Sequence, residues 1–559
     1  MSLAEFPIDL SKFDTKLALD PTKKLSPDEK KALEANIQLF RDAIVFFTAT
    51  GAARGVSGHT GGAYDTAPEV CILLALFNHS KKFYPVIFDE AGHRVATQYL
   101  LAALEGSIPA EQLLHYREAN SHLPGHPELG FTPGVKFSSG RLGHMWCAPF
   151  CPSSTASPLP TATRSSFVSD PTAPSRKATT PKPPVIPVKS ALAYFEKRGG
   201  FPDFSDLYSS IKPNAQPYTY IGSTKEVGAT RVIFGEAVNL VLDTLSKDEA
   251  ARRVMVIDSD LEGSTGLKVI HQKHPEVFVP SGIMERGNFS AAAGFGFEKG
   301  KVGVFSTFSA FLEMVISEVT MARLNKCNVL CHFSHSGGAS RVPFLIAFYI
   351  LIPESVSLSS RRGASAAYVA PHRPAYTPQM ADNTCHFGVN SFFADNGLSD
   401  THSALYFPAD GQQMIAIIKK VFFEPGLRFV FSTRSKVPWL LREDGSRVFG
   451  DAYEFHPGKD EIIQAGSAGY IVAFGEMVYR SWDAVLRLRK EGIDVGLVNK
   501  PSLNMVDEET IQKVGQSPFV LVVESFNQKT GLGSKFGTWL LERRLTPKYG
   551  YMGSTREGS

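Results

Sequence analysis

Val302-Gly303-Val304-Phe305 is an apolar run of strand length, and Val329-Leu330-Cys331 is a second one. Between them, residues 311–324 repeat apolar side chains at three- and four-residue spacing, the period of an amphipathic helix. Strand, helix and strand in that order make one crossover unit, which joins parallel neighbours in a sheet. Similar strand-length runs occur at 254–257, 429–431, 471–474, 495–498 and 520–523. Amphipathic segments at 412–422, 477–488 and 536–545 lie between many of them. The alternation predicts an α/β protein with doubly wound, mostly parallel sheets, whose function sits in loops beyond the strand carboxyl ends. Ahead of residue 231 the pattern is helical, with apolar periodicity through 33–45, 67–77 and 95–104.

Two stretches break the pattern. Residues 147–184 hold 22 Pro, Ser or Thr in 38 positions and have no hydrophobic period. Residues 339–379 begin apolar and end as a mixture of Ser, Arg, Ala and Pro. Two such segments are rare in one compact domain. The expected organisation is a partial N-terminal domain over 1–146, the irregular segment 147–184 and a linker over 185–228. A second α/β domain follows over 229–440, interrupted by an insertion or retained intron at 339–379. A smaller, shortened α/β domain closes the chain over 455–559.

The 559 residues carry a net charge of +3, 43% hydrophobic residues and 20% charged residues. That balance gives no reason to expect nucleic acid or an anionic membrane as a partner. The longest apolar stretch, near 344–352, is well short of the about 20 residues that span a bilayer. The polar N-terminus has no signal-peptide core. Six cysteines, scattered along the chain, make no disulfide framework, and Cys327 and Cys331 read as small core residues. A reducing cytoplasmic compartment is the expectation.

The chemistry-bearing residues cluster on this frame. Gly282-Ile283-Met284-Glu285-Arg286 lies in a loop before a Gly/Ala-rich stretch. The run 302–305 leads into Thr307-Phe308-Ser309-Ala310-Phe311, two aromatics three apart at a strand-to-helix turn. This order resembles the pyrimidine-binding domain of the transketolase family, which implies a thiamine-diphosphate-binding fold with a C-terminal α/β domain. The resemblance implies that Glu285 bonds N1′ of the cofactor's aminopyrimidine and drives its imino tautomer, with Phe311, beside Phe308, stacking on the ring. The family's Arg-Glu-His stands here as Met284-Glu285-Arg286.

The resemblance extends to both sides. Gly58-His59-Thr60-Gly61-Gly62, Gly92-His93 and Pro124-Gly125-His126-Pro127-Glu128 match three histidine loops of the family in order. They imply that His59, His93 and His126 contact the cofactor diphosphate and the sugar hydroxyls. Ser139-Gly140-Arg141-Leu142-Gly143 resembles the loop whose backbone amides approach the diphosphate, so Gly140 and Leu142 are expected at the cofactor. A sugar phosphate calls for guanidinium forks and hydroxyl donors. The family's phosphate ligands map onto Arg231, Ser264, His332 and Arg434, with Asp260 near the thiazolium. Asp382 and His386 match the acceptor-side pair, although the family's Gly-Pro-Thr-His reads Asn383-Thr384-Cys385-His386 here.

A diphosphate cofactor also needs Mg²⁺ or Ca²⁺ on oxygen ligands. The family's Gly-Asp-Gly-x-x-x-Glu-Gly is missing from this chain, so no metal ligand is assigned. Our hypothesis is that residues from about 153 to 184 are translated out of frame. Read from the third base of each codon, 168–184 can encode L-G-S-D-G-S-Q-Q-E-G-N-D-A-E-A-A, which contains D-G-x-x-x-E-G. A genomic sequence whose third-base frame lacks that motif would sink the idea.

The function implied is transfer of a two-carbon ketol unit between phosphosugars by thiamine diphosphate, in a homodimer whose sites form between subunits. Alternatives are another enzyme of the cofactor class, such as dihydroxyacetone synthase or deoxyxylulose-phosphate synthase, and a non-catalytic transketolase-like protein without metal ligands.

Overall fold

The computed structural model describes residues 5–56, 58, 60–80, 83–89, 92–118, 121–136, 138, 165–168, 186–211, 220–337, 386–395 and 402–555. The chain divides into two units, 1–216 with 380–385, and 217–379 with 386–559.

The first unit is organised on the helix Pro27–Ala53. Ser26 caps it: its hydroxyl accepts from the Glu29 amide (3.2 Å), while the Ser26 amide donates to the Glu29 carboxylate (2.7 Å). With Pro27 at the first helical position, this box is worth about 1 kcal/mol. The helix buries Phe40, Ile44 and Phe47 and packs on helices Ala67–His79 and Val95–Leu104. Strand β1 (Phe83–Phe88) pairs in parallel with β2 (Ser165–Val168), the one described part of 147–184. The expected linker 185–228 is only partly a connection. Its helix Val188–Arg198 buries Ala191 and Phe195 in this core, where Phe195 packs edge-on against Phe204. Apolar residues at helical spacing, rather than linker chemistry, explain that.

The second unit holds β3 (Ser223–Gly228), β4 (Val254–Ser259), β5 (Phe278–Ser281), β6 (Val302–Phe308), β7 (Val329–Ser334), β8 (Ser403–Tyr406), β9 (Leu427–Phe431) and β10 (Val437–Leu440). It continues with β11 (Glu461–Gln464), β12 (Gly469–Ala473), β13 (Val495–Asn499), β14 (Phe519–Asn527) and β15 (Lys548–Ser554). Six strands form one sheet in the order β5-β4-β6-β7-β9-β8, all parallel. Five form a second in the order β11-β13-β12-β14-β15, in which only β11 runs antiparallel. β3 and β10 make a separate antiparallel pair.

Every residue of β6, β7 and β9 is buried, as expected where helices or a second sheet cover both faces. One face of the six-stranded sheet and the five-stranded sheet share a core in which Phe407, Phe431, Phe474 and Phe526 meet. Cys327 and Cys331 are buried in it as free thiols. The crossover of 302–331 forms as expected, except that the helix opens with a 3₁₀ turn at Ser309–Met314 before Ile316–Leu324. The strands that escape a reading of apolar runs are short or at sheet edges, such as β5, β8, β11 and β15. Edge strands bury less and so carry a weaker apolar signal.

Candidate functional site in the second unit

In the six-stranded sheet, the chain leaves β4 for β5 on one side and then returns to β6 on the other. Sheets of this kind bind ligands beyond the carboxyl ends of strands at such a switch point. Phe308 ends β6 there, and Phe311 follows in the 3₁₀ turn, with ring centroids 5.7 Å apart. His335, just past β7, lies 4.1 Å from Phe308, and His386 lies 5.3 Å from it. Phe311 and His386 are 6.4 Å apart, so the four rings form one cluster.

Glu285 is the first residue of helix Glu285–Phe295, which packs on β4, β6 and the 3₁₀ turn. Its side chain is buried, and its carboxylate accepts from its own backbone amide at the start of the helix. Burial raises its pKa; the helix amide nearest it opposes the shift without cancelling it. Asn288, one turn on, fixes this helix end. Its Nδ2 donates to Ser259 Oγ and to the Gly282 carbonyl, both at 3.0 Å, and its Oδ1 accepts from Ser281 Oγ at 2.8 Å. Asn288 escapes a motif reading because its partners lie on two other strand ends.

On β4, Asp258 is buried and pushed up to about 6 by desolvation, although the Leu261 amide donates to its carboxylate at 3.1 Å. Asp260 follows with φ +62, exposed at the strand end. Ser264 is exposed in the short helix Glu262–Thr265. That helix ends at Gly266 (φ +85), where an added Cβ would overlap the Arg231 carbonyl oxygen. Only glycine lets the end of the Ser264 helix approach the Arg231 backbone this closely.

Arg231 is the second residue of the helix Thr230–Leu242, and its Nη1 donates to the Arg434 carbonyl past β9. Burial and the neighbouring Arg434 charge both lower its pKa. The Arg434 charge is thus close enough to repel that of Arg231, a setting that an anion would relieve.

His332 does not share this setting. It lies inside β7, fully buried, stacked on Phe234 at 4.0 Å. Its Nδ1 pairs with Ser306 Oγ (2.9 Å) and its Nε2 with Ser432 Oγ (2.8 Å). Burial and the Arg231 charge lower it to about 3, so it is neutral. With both nitrogens engaged, it has none to offer a phosphate. His335 is the histidine that reaches the strand end, at φ +59 with Nδ1 3.1 Å from Ser334 Oγ. The visible signal was its position: past the strand rather than within it.

In the first unit, His93 and His126 are brought together, with ring centroids 6.3 Å apart. Gly92 (φ +64) makes this possible, since a Cβ there would sit 2.5 Å from His126 Cδ2. Tyr99 donates to the Pro124 carbonyl at 2.6 Å and so fixes the His126 loop. His59, Gly140, Leu142 and Asp382 lie outside the described residues.

The pyrimidine half of thiamine diphosphate fits the second unit: the buried Glu285 carboxylate opens a helix that packs on the 3₁₀ turn carrying Phe311, next to Phe308. Among the described residues, no three His, Cys, Asp or Glu side chains group to hold a metal. The segment expected to supply those ligands falls outside them, apart from β2. No described helix is long and apolar enough to cross a membrane.

Fold and site together define a protein of the thiamine-diphosphate-binding α/β class. Three sequence models, the transketolase thiamine diphosphate binding domain, pyrimidine binding domain and C-terminal domain, match 51–154, 229–382 and 458–551 in that order. Together they cover more than half of the chain, which therefore belongs to the transketolase family. One of the subunits of an apulose-4-phosphate transketolase from Actinobacillus succinogenes is 35% identical over 101 residues, 17% of this chain and 32% of that protein. A 1-deoxy-D-xylulose-5-phosphate synthase from Desulfitobacterium hafniense is 24% identical over 321 residues, 56% of this chain and 41% of that protein. Transketolase 2 of Escherichia coli is 35% identical over 94 residues, 16% of this chain and 14% of that protein. The chain thus spans less than half the length of these relatives. Among solved structures, a split-gene transketolase described as an inactive beta4 tetramer aligns with a TM-score of 0.44 and 23% identity, over 59% of this chain and 90% of that one.

Proposed function

We propose that this protein transfers a two-carbon ketol unit from a ketose phosphate to an aldose phosphate, using thiamine diphosphate with Mg²⁺ or Ca²⁺. The observation that carries the reading is the Arg231–Arg434 pair at the strand ends that also hold Phe308 and Asp260. When bound, the cofactor supplies a carbanion-stabilising thiazolium. Glu285 holds the proton exchanged at the pyrimidine N1′, its raised pKa suiting it to give and take that proton. Phe311 and Phe308 orient the ring. Arg231, Arg434 and Ser264 bind the sugar phosphate, with His335 in the place first expected for His332. Asp260 lies by the thiazolium, and His386 with Asp382 acts on the acceptor's hydroxyls. In the N-terminal unit, His59, His93 and His126 take the diphosphate and donor hydroxyls, with Gly140 and Leu142 at the cofactor. A homodimer is part of the proposal.

The competing reading, a non-catalytic family member, draws on the missing Gly-Asp-Gly-x-x-x-Glu-Gly motif. Thermal melts with thiamine diphosphate and Mg²⁺, beside an assay of ketol transfer between phosphosugars, decide between them. A ligand at 100 times its Kd adds about 2.7 kcal/mol of stability. Stabilisation with turnover supports the enzyme; phosphosugar binding without either supports the non-catalytic reading.

A further inference from the structure

We propose that Asn527, at the end of β14, is a positioning residue for His386, holding the segment that carries this histidine against the Phe308 ring cluster. The inference rests on the acceptor-side reading of His386.

His386 is separated from β7 by residues 335–385, so chain continuity from that strand does not place it. Contacts do. The Gly337 amide donates to the Gly388 carbonyl (2.9 Å), and the Gly388 amide donates to the His335 carbonyl (3.2 Å). These two bonds tie the residues after β7 to those after His386. Gly388 lies flush on the Ser309 backbone, where a Cβ would overlap. Ser391 Oγ pairs with Ser309 Oγ at 3.0 Å.

The outer side of this segment rests on the C-terminal sheet. The Asn527 amide donates to the Val389 carbonyl at 2.8 Å. Its Nδ2 donates to Asn390 Oδ1 at 3.2 Å, and Thr530 Oγ1 donates to the same oxygen at 3.2 Å. Asn527 is itself fixed: its Oδ1 accepts from the Lys529 amide (3.0 Å) and its carbonyl from the Gly531 amide (2.7 Å). The same strand braces the other side of the tie. A Cβ on Gly337 would lie 2.5 Å from Ser525 Oγ and 2.9 Å from Glu476 Oε1. The segment is thus gripped between the end of β14 and the 3₁₀ turn after β6.

The test compares the full-length protein with its Asn527→Ala variant, with thiamine diphosphate and Mg²⁺ present. Amide exchange is followed over 386–395, and calorimetry gives the affinities for ribose 5-phosphate and for inorganic phosphate. The expected result is about tenfold faster exchange at 388–392 and about fivefold weaker ribose 5-phosphate binding, the size of one lost hydrogen bond. Inorganic phosphate, which calls on Arg231, Arg434, Ser264 and His335 but not on His386, keeps its affinity. Unchanged exchange overturns the proposal, as does faster exchange with ribose 5-phosphate affinity intact. If the wild-type protein does not bind ribose 5-phosphate, the acceptor-side reading falls and takes the proposal with it. That result is distinct from equal binding by both proteins, which sinks the positioning role alone. Should Asn527→Ala not fold, Thr530→Ala, which removes a single hydroxyl donor, is judged by the same readouts.

Discussion

Arg231 and Arg434, 203 residues apart in sequence, are joined by a hydrogen bond from the Arg231 guanidinium to the Arg434 carbonyl. Their charges oppose each other, and that repulsion adds to burial in lowering the Arg231 pKa. A site that holds like charges together is relieved by an anion. Arg231→Ala should therefore weaken phosphosugar binding by roughly 10- to 100-fold, the range of about 1.5–3 kcal/mol for a charged hydrogen bond. Without phosphate the variant should melt no lower than the parent. Calorimetric titration and melts with and without phosphate check both halves.

The two histidines of β7 and its end should part company. His332→Ala removes a ring with two hydrogen bonds and a stacking partner, and should cost about 3 kcal/mol of stability. His335→Ala should melt near the parent yet lose phosphosugar affinity. Because His332 titrates at about 3 when folded, below the ordinary histidine value, the folded state binds fewer protons than the unfolded one. Its contribution is present above about pH 6.5 and is lost as the pH falls towards 3, at up to about 1.4 kcal/mol per pH unit. Denaturant melts between pH 4 and 7 should show this slope in the parent but not in His332→Phe.

Glu285→Gln tests the proton-holding role. It should abolish ketol transfer while retaining at least parental stability near neutral pH. A carboxyl with a raised folded pKa favours the fold at low pH and loses that contribution as pH rises through the folded value. The variant should lack this decline. Intact transfer by Glu285→Gln would sink the role.

Glu461 predicts a second pH effect away from the site. Burial pushes it up to about 7, although Tyr453, Gln413 and Asn499 donate to its carboxylate. Stability from its protonated form is full below the ordinary carboxylate range and lost as the pH rises through about 7. Glu461→Gln should raise the melting temperature at pH 8 relative to the parent and leave it little changed at pH 5. Scanning calorimetry at the two values measures the difference.

Gly337→Ala should disturb the site from the side opposite Asn527. The residue has φ +92, and its new methyl would press on Ser525 and Glu476. A loss of roughly 1–3 kcal/mol, the scale for a strained backbone position, should accompany faster amide exchange around His335. A melt and exchange profile matching the parent would contradict the tight approach.

The sequence by itself determined much of this protein. Apolar runs separated by helical periods marked β4, β6, β7, β9 and β12–β14, because strands covered on both faces must be almost wholly apolar. Short motifs marked Glu285, in a stretch read as a loop where the structure begins a helix, and the Phe308-x-x-Phe311 turn, because their parts lie within a few residues of one another. Tertiary structure alone decided the rest. His332 and His335 are three residues apart in sequence. Only the positions of β6, β9 and Phe234 put the first in the core, with both nitrogens satisfied, and leave the second at the strand end. Asn288, Gly266 and Asn527 act through partners on other elements, the last across 137 residues to Asn390. Hydrogen bonds and steric contacts act over a few ångströms, and only the fold brings such distant positions that close.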